Sequence, residues 1–384
     1  MEYKIFDKSL TLFFEGEINS GNVSLIENDV NQTLADKEFE SLCLDFGKVT
    51  YISSVGLRLV LKLKQKYELV SVAEASLEVY DVFDMTGFTT IMAVEKKLTE
   101  ISVKDCPVIG EGFFSAVYRL TRDMIVKVFR EGTAISEIRR ELNLAKQAFV
   151  LGIPTAISFD IVRVGDRLGV RFEMLDPVSL RDLFRDHPGH YEELVDKYAA
   201  LLKKINTTES MSNVLPDCKK GWIEKVNSAR SALGEEDYQK LLRMVNEIEE
   251  RTTFVHGDCH VKNIMIQGDD LFLIDMDTLS KGHPIFELAC IYATYIAFSE
   301  DDPGNSDRFL GIPDAFAKQL FKDVLTKYMG KFDEDTYNKI AIVSYAHMIW
   351  WTLTFSPENE ARFKGNLERL RTLLARYNDL KIDA

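Results

Sequence analysis

The sequence predicts an α/β unit followed by an α+β unit, in which a small sheet-rich lobe precedes a large, mainly helical one. Residues 3–94 alternate short strand-like and helix-like segments, the pattern of a layered α/β architecture. Residues 107–174 read as strands around one helix. From Ser179 onward the periodicity is helical, interrupted only at residues 254–277. A chain of 384 residues also exceeds one ordinary core, so two or three units are expected.

In the first unit, residues 10–15 read as a strand, 23–35 as a helix and 42–46 as a strand. A helix over residues 55–67 carries Val55, Leu59, Val60 and Leu63 on one side; a strand at 69–73 and a helix at 76–85 follow. Residues 93–106 mix Lys, Glu, Thr and Ser with little periodicity, which places the junction there. Residues 107–128 then read as a two-stranded hairpin that turns through a glycine-containing loop and ends in Ile125, Val126, Lys127 and Val128. A helix over 136–151 has Ile138, Leu142, Ala145 and Phe149 at helical spacing and stops at Gly152 and Pro154, a glycine-then-proline exit. Strands at 157–164 and 169–174 complete the small lobe. The expected domains are residues 1–98, 99–175 and 176–384, with no internal repeat and no low-complexity tract.

Hydrophobic residues at 46% and charged residues at 28% fit a soluble globular protein. A net charge of −14, without a long Lys/Arg cluster, argues against a nucleic-acid footprint. Cys43, Cys106, Cys218, Cys259 and Cys290 are scattered and form no two-residue-spaced pair, so reduced thiols in a cytoplasm are expected. The N-terminus lacks the apolar stretch of a signal peptide. The uncharged run 340–355 is shorter than the roughly 20 residues of a membrane span and is read as a buried helix, so no membrane partner is expected.

Four features, in order, suit phosphoryl transfer from ATP, which asks a protein to hold metal-bound phosphates, position a hydroxyl and stabilise spreading negative charge. In the loop over residues 109–118, Gly110, Gly112 and Ser115 would let backbone N–H groups close over phosphates. Lys127, between β-branched neighbours, either faces solvent or reaches a bound anion; Glu141 on the next helix is chosen over Glu137 to orient it. In the loop from His256 to Asn263, Asp258 and His256 are the expected catalytic residues. There Asp258 would accept the hydroxyl proton and Asn263, five residues on, would hold magnesium. A zinc site from His256, Cys259 and His260 is set aside because no fourth ligand completes it. Finally, the apolar run 271–274 delivers Asp275 as a second Mg2+ ligand; Asp277 either assists the metal or caps the next turn.

The set His256-Gly257-Asp258, four residues, Asn263, then Ile274-Asp275 and the acidic Asp277 resembles the aminoglycoside phosphotransferase and choline kinase-like superfamily. The resemblance spans residues from about 106 to at least 300. It implies a bilobal protein-kinase-like fold, ATP with Mg2+, Asp258 as base, Asn263 and Asp275 as metal ligands, and Lys127 with Glu141 at the phosphates. It also implies an interlobe hinge at residues 172–175, where backbone groups near Glu173 and Leu175 meet adenine. Residues 282–289 resemble the family's downstream segment, with Glu287 where Asp is commoner.

Residues 1–95 resemble the STAS, or anti-sigma-factor antagonist, family through the segments 50–58 and 82–88. Phosphorylated members carry a serine immediately before the glycine that Gly56 matches; here that position is Val55. Ser53 and Ser54 are read as caps of the helix beginning at Val55, ahead of phosphorylation at Ser54. The expected protein is thus a cytoplasmic, ATP- and Mg-dependent phosphotransferase acting on a hydroxyl of an unidentified small molecule, with the STAS-like domain regulating it or recruiting a protein partner. A nucleotide-sensing adaptor and a protein kinase acting through that domain are the alternatives. Trp222, Trp350, Trp351, Tyr292 and Tyr295 are read as core ahead of a cage for a cation. Glu300, Asp301 and Asp302 are read as a solvated charge run, and resistance to an antibiotic does not follow from the family.

Overall fold

A computed structural model describes residues 1–112, 115–176, 178–210 and 215–383. The chain divides into two compact units, Met1–Ile101 and Ser102–Ala384. In the first, alternation of apolar residues builds the sheet. Leu10, Leu12 and Phe14 of β2 (Ser9–Ile18) and Leu42, Leu44 and Phe46 of β3 (Ser41–Ile52) are buried at 4% exposure or less, every second residue turning inward. The strand order is β1-β2-β3-β4-β5, with β1 (Tyr3–Phe6) antiparallel to β2 and the later pairs parallel. Helices α1 (Val23–Leu34), α2 (Ser54–Lys66) and α3 (Leu77–Met85) connect the strands, and β4 (Val70–Ala75) and β5 (Ala93–Lys96) complete the sheet. A two-residue strand, β6 (Thr99–Glu100), ends the unit. Phe14, Phe46, Phe83 and Phe88 run through its core with successive ring centroids 5.1, 5.8 and 5.5 Å apart.

Three local expectations are corrected here. Strand β3 continues past residue 46 to Ile52, because Val49 and Ile52 still turn inward across irregularities in the register. Residues 93–96 form a strand, not an irregular junction, and Val72 on β4 pairs with Val94. Helix α2 begins at Ser54 with Ser53 at the cap position, yet no side-chain cap bond forms and the Ser53 hydroxyl is buried without a partner. The entry of α2 is set instead by Gly56, where an added Cβ would lie 2.7 Å from Ile52 and 2.8 Å from Ile18. Only a residue without a side chain lets the helix approach both strand ends this closely.

The second unit opens with an antiparallel sheet in the order β10-β11-β9-β8-β7. The expected hairpin over 107–128 is a three-stranded meander: β7 (Val108–Glu111), β8 (Ser115–Arg119) and β9 (Met124–Phe129). The second turn, at residues 120–123, closes when the Leu120 and Thr121 N–H groups donate to Met124 O. Helix α4 (Ile135–Val150) packs on this sheet, and β10 (Ser158–Val164) with β11 (Arg167–Glu173) completes it. Helix α5 (Leu180–Asp186) starts with a reciprocal capping box between Ser179 and Asp182.

The remainder is mainly helical: α6 (Tyr191–Thr207), α7 (Cys218–Ser228), α8 (Arg230–Leu233), α9 (Glu235–Asn246) and α10 (Pro284–Tyr292), which runs on through a π-turn into α11 (Phe298–Glu300). Then come α12 (Asn305–Leu310), α13 (Asp314–Met329), α14 (Glu334–Phe355) and α15 (Glu360–Leu374). Two small strand pairs interrupt them: β12 (Phe254–Val255) with β15 (Ser280–Lys281), and β13 (Ile264–Gln267) with β14 (Asp270–Leu273). The run 340–355 lies in α14, with Ile340–Ala346 buried. Among the described residues no helix is long and apolar enough to cross a membrane.

Candidate active site

Strand alternation fixes Lys127. Val126 and Val128 are buried at 0% and 1%, so Lys127 projects to the opposite face of β9, in register with Val117 and Val170. Its Nζ donates to Glu141 Oε1 on α4 and to Asp275 Oδ1, each at 2.7 Å. Burial works against this ammonium, but the Asp275 and Glu141 carboxylates outweigh it and hold the Lys127 pKa well above its usual value. Glu141, 7% exposed, is pushed up by its own burial, which Lys127 only partly offsets. Glu137, one turn earlier, is exposed.

The loop between β12 and β13 is held almost entirely through its backbone. Glu287, fully buried on α10, accepts from the N–H groups of His256 and Gly257, at 2.5 and 3.1 Å. Thr278 Oγ1 donates to His256 O at 2.6 Å, and Val261 N–H donates to Tyr295 Oη at 3.0 Å. The Tyr198 hydroxyl donates to Cys259 O, and Arg181 N–H donates to Val261 O at 3.1 Å. The Cys259 side chain is fully buried and fills core space.

His256 is bonded on both sides by the backbone of its own site. It is fully buried; Asp258 N–H donates to its Nδ1 at 3.2 Å, so its Nε2 bears the proton and donates to Ile274 O at 3.1 Å. Both nitrogens are committed to backbone, and burial lowers its pKa to about 4, so it is a neutral ring bonded within the site.

Asp258 keeps 39% of its side chain accessible and accepts from Asn263 Nδ2 at 2.9 Å. The same Nδ2 donates to Asp258 O at 3.0 Å, so the amide nitrogen is committed and Oδ1 is the atom Asn263 has left for a cation. Past β14 the chain enters the left-handed region at Asp275 (φ 67°), which aspartate tolerates better than most residues. Desolvation first, then Asp275 and Asp277, push the Asp258 pKa up to about 8. Asp277 rises to about 7 by desolvation and by Asp275, and its carboxylate accepts from the Thr278 backbone. Asp277 therefore shares the acid cluster and also makes the local turn bond.

These carboxylates, with Lys127 as their bonded counter-charge, fit a hard cation. Among the described residues no group of three or more His, Cys, Asp or Glu is placed to hold a metal ion by itself. Asn263 and Asp275 suit an ion that takes its other ligands from phosphate and water, as magnesium does.

A pH dependence follows. Folded Asp258, Asp277 and Glu287, the last raised to about 7 by burial, bind protons to higher pH than in the unfolded chain, so folding loses stability as pH rises through that window. His256, His260 and His283 are lowered by burial and act oppositely, but only below about pH 6.5. Between about pH 6.5 and 8 the acids act alone. The calorimetric melting midpoint in EDTA is expected to fall over that interval; a midpoint that stays flat or rises would refute the acid cluster.

Gly112 N–H donates to Ser115 O at 2.8 Å, closing the β7–β8 turn two residues from Val117, the partner of Lys127. Gly110 lies on β7; Phe113 and Phe114 of the same loop fall outside the described residues. At the end of β11, Glu173 N–H donates to Ile157 O and Met174 N–H to Asp123 O, whereas Leu175 N–H meets no acceptor among the described residues. At Glu173, then, the backbone N–H is used within the sheet.

Tyr198 and Thr278 hold the loop without having been singled out for it, whereas Glu287 is the residue noted in the resemblance over residues 282–289. Glu287 had a signal: it is the one charged residue in the apolar segment Pro284–Tyr292. The aromatics considered as a cage are otherwise engaged. Trp222 stacks on Phe286 at 5.4 Å, Tyr292 is buried, and Lys225 Nζ lies 4.6 Å from both the Trp222 and Trp350 rings. Glu300 and Asp301 pair with Arg369, and Asp302 with Arg308, so this run is an ion-pair network and not free solvated charge.

Comparison with known proteins agrees with the two-unit architecture. The model of the phosphotransferase enzyme family matches residues 105–314, and that of the STAS domain matches residues 1–101. An anti-sigma factor antagonist of Bordetella bronchiseptica, BtrV, is 34% identical over 92 residues, 23% of this chain and 78% of that protein. The crystal structure of the aminoglycoside phosphotransferase APH(2'')-Ib, ADP-bound, is 15% identical with a TM-score of 0.49, covering 71% of this chain and 95% of that one. A choline/ethanolamine kinase family protein from Mesorhizobium loti is 12% identical with a TM-score of 0.45, covering 70% and 87%.

Proposed function

Because this chain belongs to the phosphotransferase enzyme family and begins with a STAS domain, we propose that it transfers the γ-phosphoryl group of ATP to a hydroxyl of a small molecule in the cytoplasm. What carries this reading is the convergence of Lys127 and Asp275 with Glu141, next to the acid cluster of Asp258 and Asp277. Lys127 would hold phosphate oxygens, and the turn that carries Gly110, Gly112 and Ser115 would cover them, although the Gly112 N–H itself is taken by Ser115 O. The Leu175 N–H supports an adenine contact at the hinge. Asn263 Oδ1 and Asp275 would hold magnesium, which when bound neutralises charge on the phosphates. Asp258 takes the acceptor's proton as the acceptor oxygen bonds to phosphorus and the bond to the ADP oxygen breaks. The STAS domain recruits a protein partner or regulates the transfer.

The test is ADP formation by the full chain with ATP, magnesium and a panel of hydroxylated metabolites. Acceptor-dependent turnover that EDTA abolishes is expected. Turnover that no acceptor stimulates, or that survives EDTA, would sink the reading.

A further inference from the structure

The loop that carries Asp258 also carries a cation, Lys262. Four residues after Asp258, in the same loop, the Lys262 Nζ donates to Phe309 O at 3.0 Å and lies 4.9 Å from the Phe309 ring centroid. Among the described residues no carboxylate sits at ion-pair distance from it. An ammonium has three donors, so two remain for a ligand.

Phe309, the second-last residue of α12, has 48% of its surface exposed, and His260 meets its ring edge-on at 5.4 Å. His260 Nε2 in turn lies 3.5 Å from Asp258 Oδ1. Base, buried imidazole, aromatic ring and ammonium therefore form one chain of contacts. Arg181 borders it from α5. Its backbone bonds Val261, and its Cδ would lie 3.1 Å from a Cβ at Gly311, just past Phe309. Burial first, then the Arg181 charge, lower the Lys262 pKa, and the Asp258 carboxylate partly offsets them. The Arg181 guanidinium is held by Asp182 at 2.8 Å and Lys127 is doubly paired, so Lys262 is the loop's open positive charge.

The net charge of −14 favours a cationic acceptor at long range, but the acids that would receive one, Glu300 to Asp302, are taken by Arg369, Arg308 and Arg362. At contact distance a local unpaired charge decides, because exposed charges beyond roughly 10 Å are screened. We propose that Lys262 and Phe309 form the acceptor subsite, and that the acceptor is a small hydroxyl compound carrying an oxyanion, phosphate or carboxylate, next to an apolar or planar portion. This rests on the phosphotransferase reading of the site. The oxyanion takes the two open Lys262 donors, and the apolar portion lies on Phe309.

The test reads binding without turnover. The full chain, with magnesium and a non-hydrolysable ATP analogue, is titrated calorimetrically with matched pairs: glycerol 3-phosphate and glycerol, phosphoserine and serine, 4-(hydroxymethyl)benzoate and benzyl alcohol, with choline as the cation. At least one anionic member should bind about tenfold or more tighter than its counterpart. Lys262→Met should erase that preference, and Lys262→Glu should turn it toward choline, with melting midpoints checked for both. Absence of any anion preference, its survival in Lys262→Met, or a loss confined to the nucleotide analogue would overturn the proposal. If the same acceptor, offered with ATP in place of the analogue, yields no ADP, the phosphotransferase reading falls and the subsite stands.

Discussion

Asp258→Asn is expected to lower acceptor-dependent ADP formation by about 10²–10⁴-fold, the range of a positioned general base. The substitution keeps the side chain's shape and one acceptor oxygen, so the contact with Asn263 Nδ2 at 2.9 Å survives and the loop stays in place. What disappears is the group that receives the hydroxyl proton. It also removes an acid whose pKa is raised to about 8 by burial and by Asp275 and Asp277. The variant should therefore melt higher than the parent at pH 8 in EDTA, while binding an ATP analogue within about twofold of it. Loss of turnover together with a gain in stability separates a catalytic role from a structural one, because a structural aspartate would lose both. A transfer rate within about tenfold of the parent would place the base elsewhere.

The contrast between Asp258 and its supports shows what could be read from the sequence. Asp258, Asn263 and Asp275 lie in short polar stretches at the ends of apolar strands, and a local pattern suffices to single them out. Lys127 was ambiguous by the same logic, since a charged residue in a strand ordinarily faces water. Its direction follows from Val126 and Val128 turning inward, but its two partners come from α4 and from 148 residues downstream. No local pattern encodes that distance. The β3 extension and the third strand of the 107–128 segment were missed because register irregularities and short turns break the period that marks a strand. The Ser53 cap failed for a related reason. A serine before a helix predicts a cap bond, yet close approach of Gly56 to Ile18 and Ile52 fixes the helix start and leaves that hydroxyl unused. Tyr198 and Tyr295 reach the loop from helices far apart in sequence, and their positions resemble any buried aromatic stripe.

Glu287→Ala is expected to lose about 2–5 kcal/mol of stability and most of the turnover, because it strands backbone donors in a fully buried place. The His256 and Gly257 N–H groups aim at its two oxygens, and the side chain is 0% exposed. Those donors belong to the two residues just before Asp258, so their release loosens the geometry of the base itself. Three replacements separate support from simple filling. Gln keeps the volume but offers one acceptor oxygen and an amide that faces donors; it should transfer more slowly at an unchanged KM for ATP, measured well below its melting midpoint. Asp keeps the charge on a shorter arm and should fall between Gln and the parent in kcat, since a carboxylate one methylene back on α10 reaches fewer of the same N–H groups. Ala should be worst in both stability and rate. A Gln variant with parental kcat would mean that α10 holds the loop by packing alone, and that the buried charge of Glu287 contributes nothing to the position of Asp258.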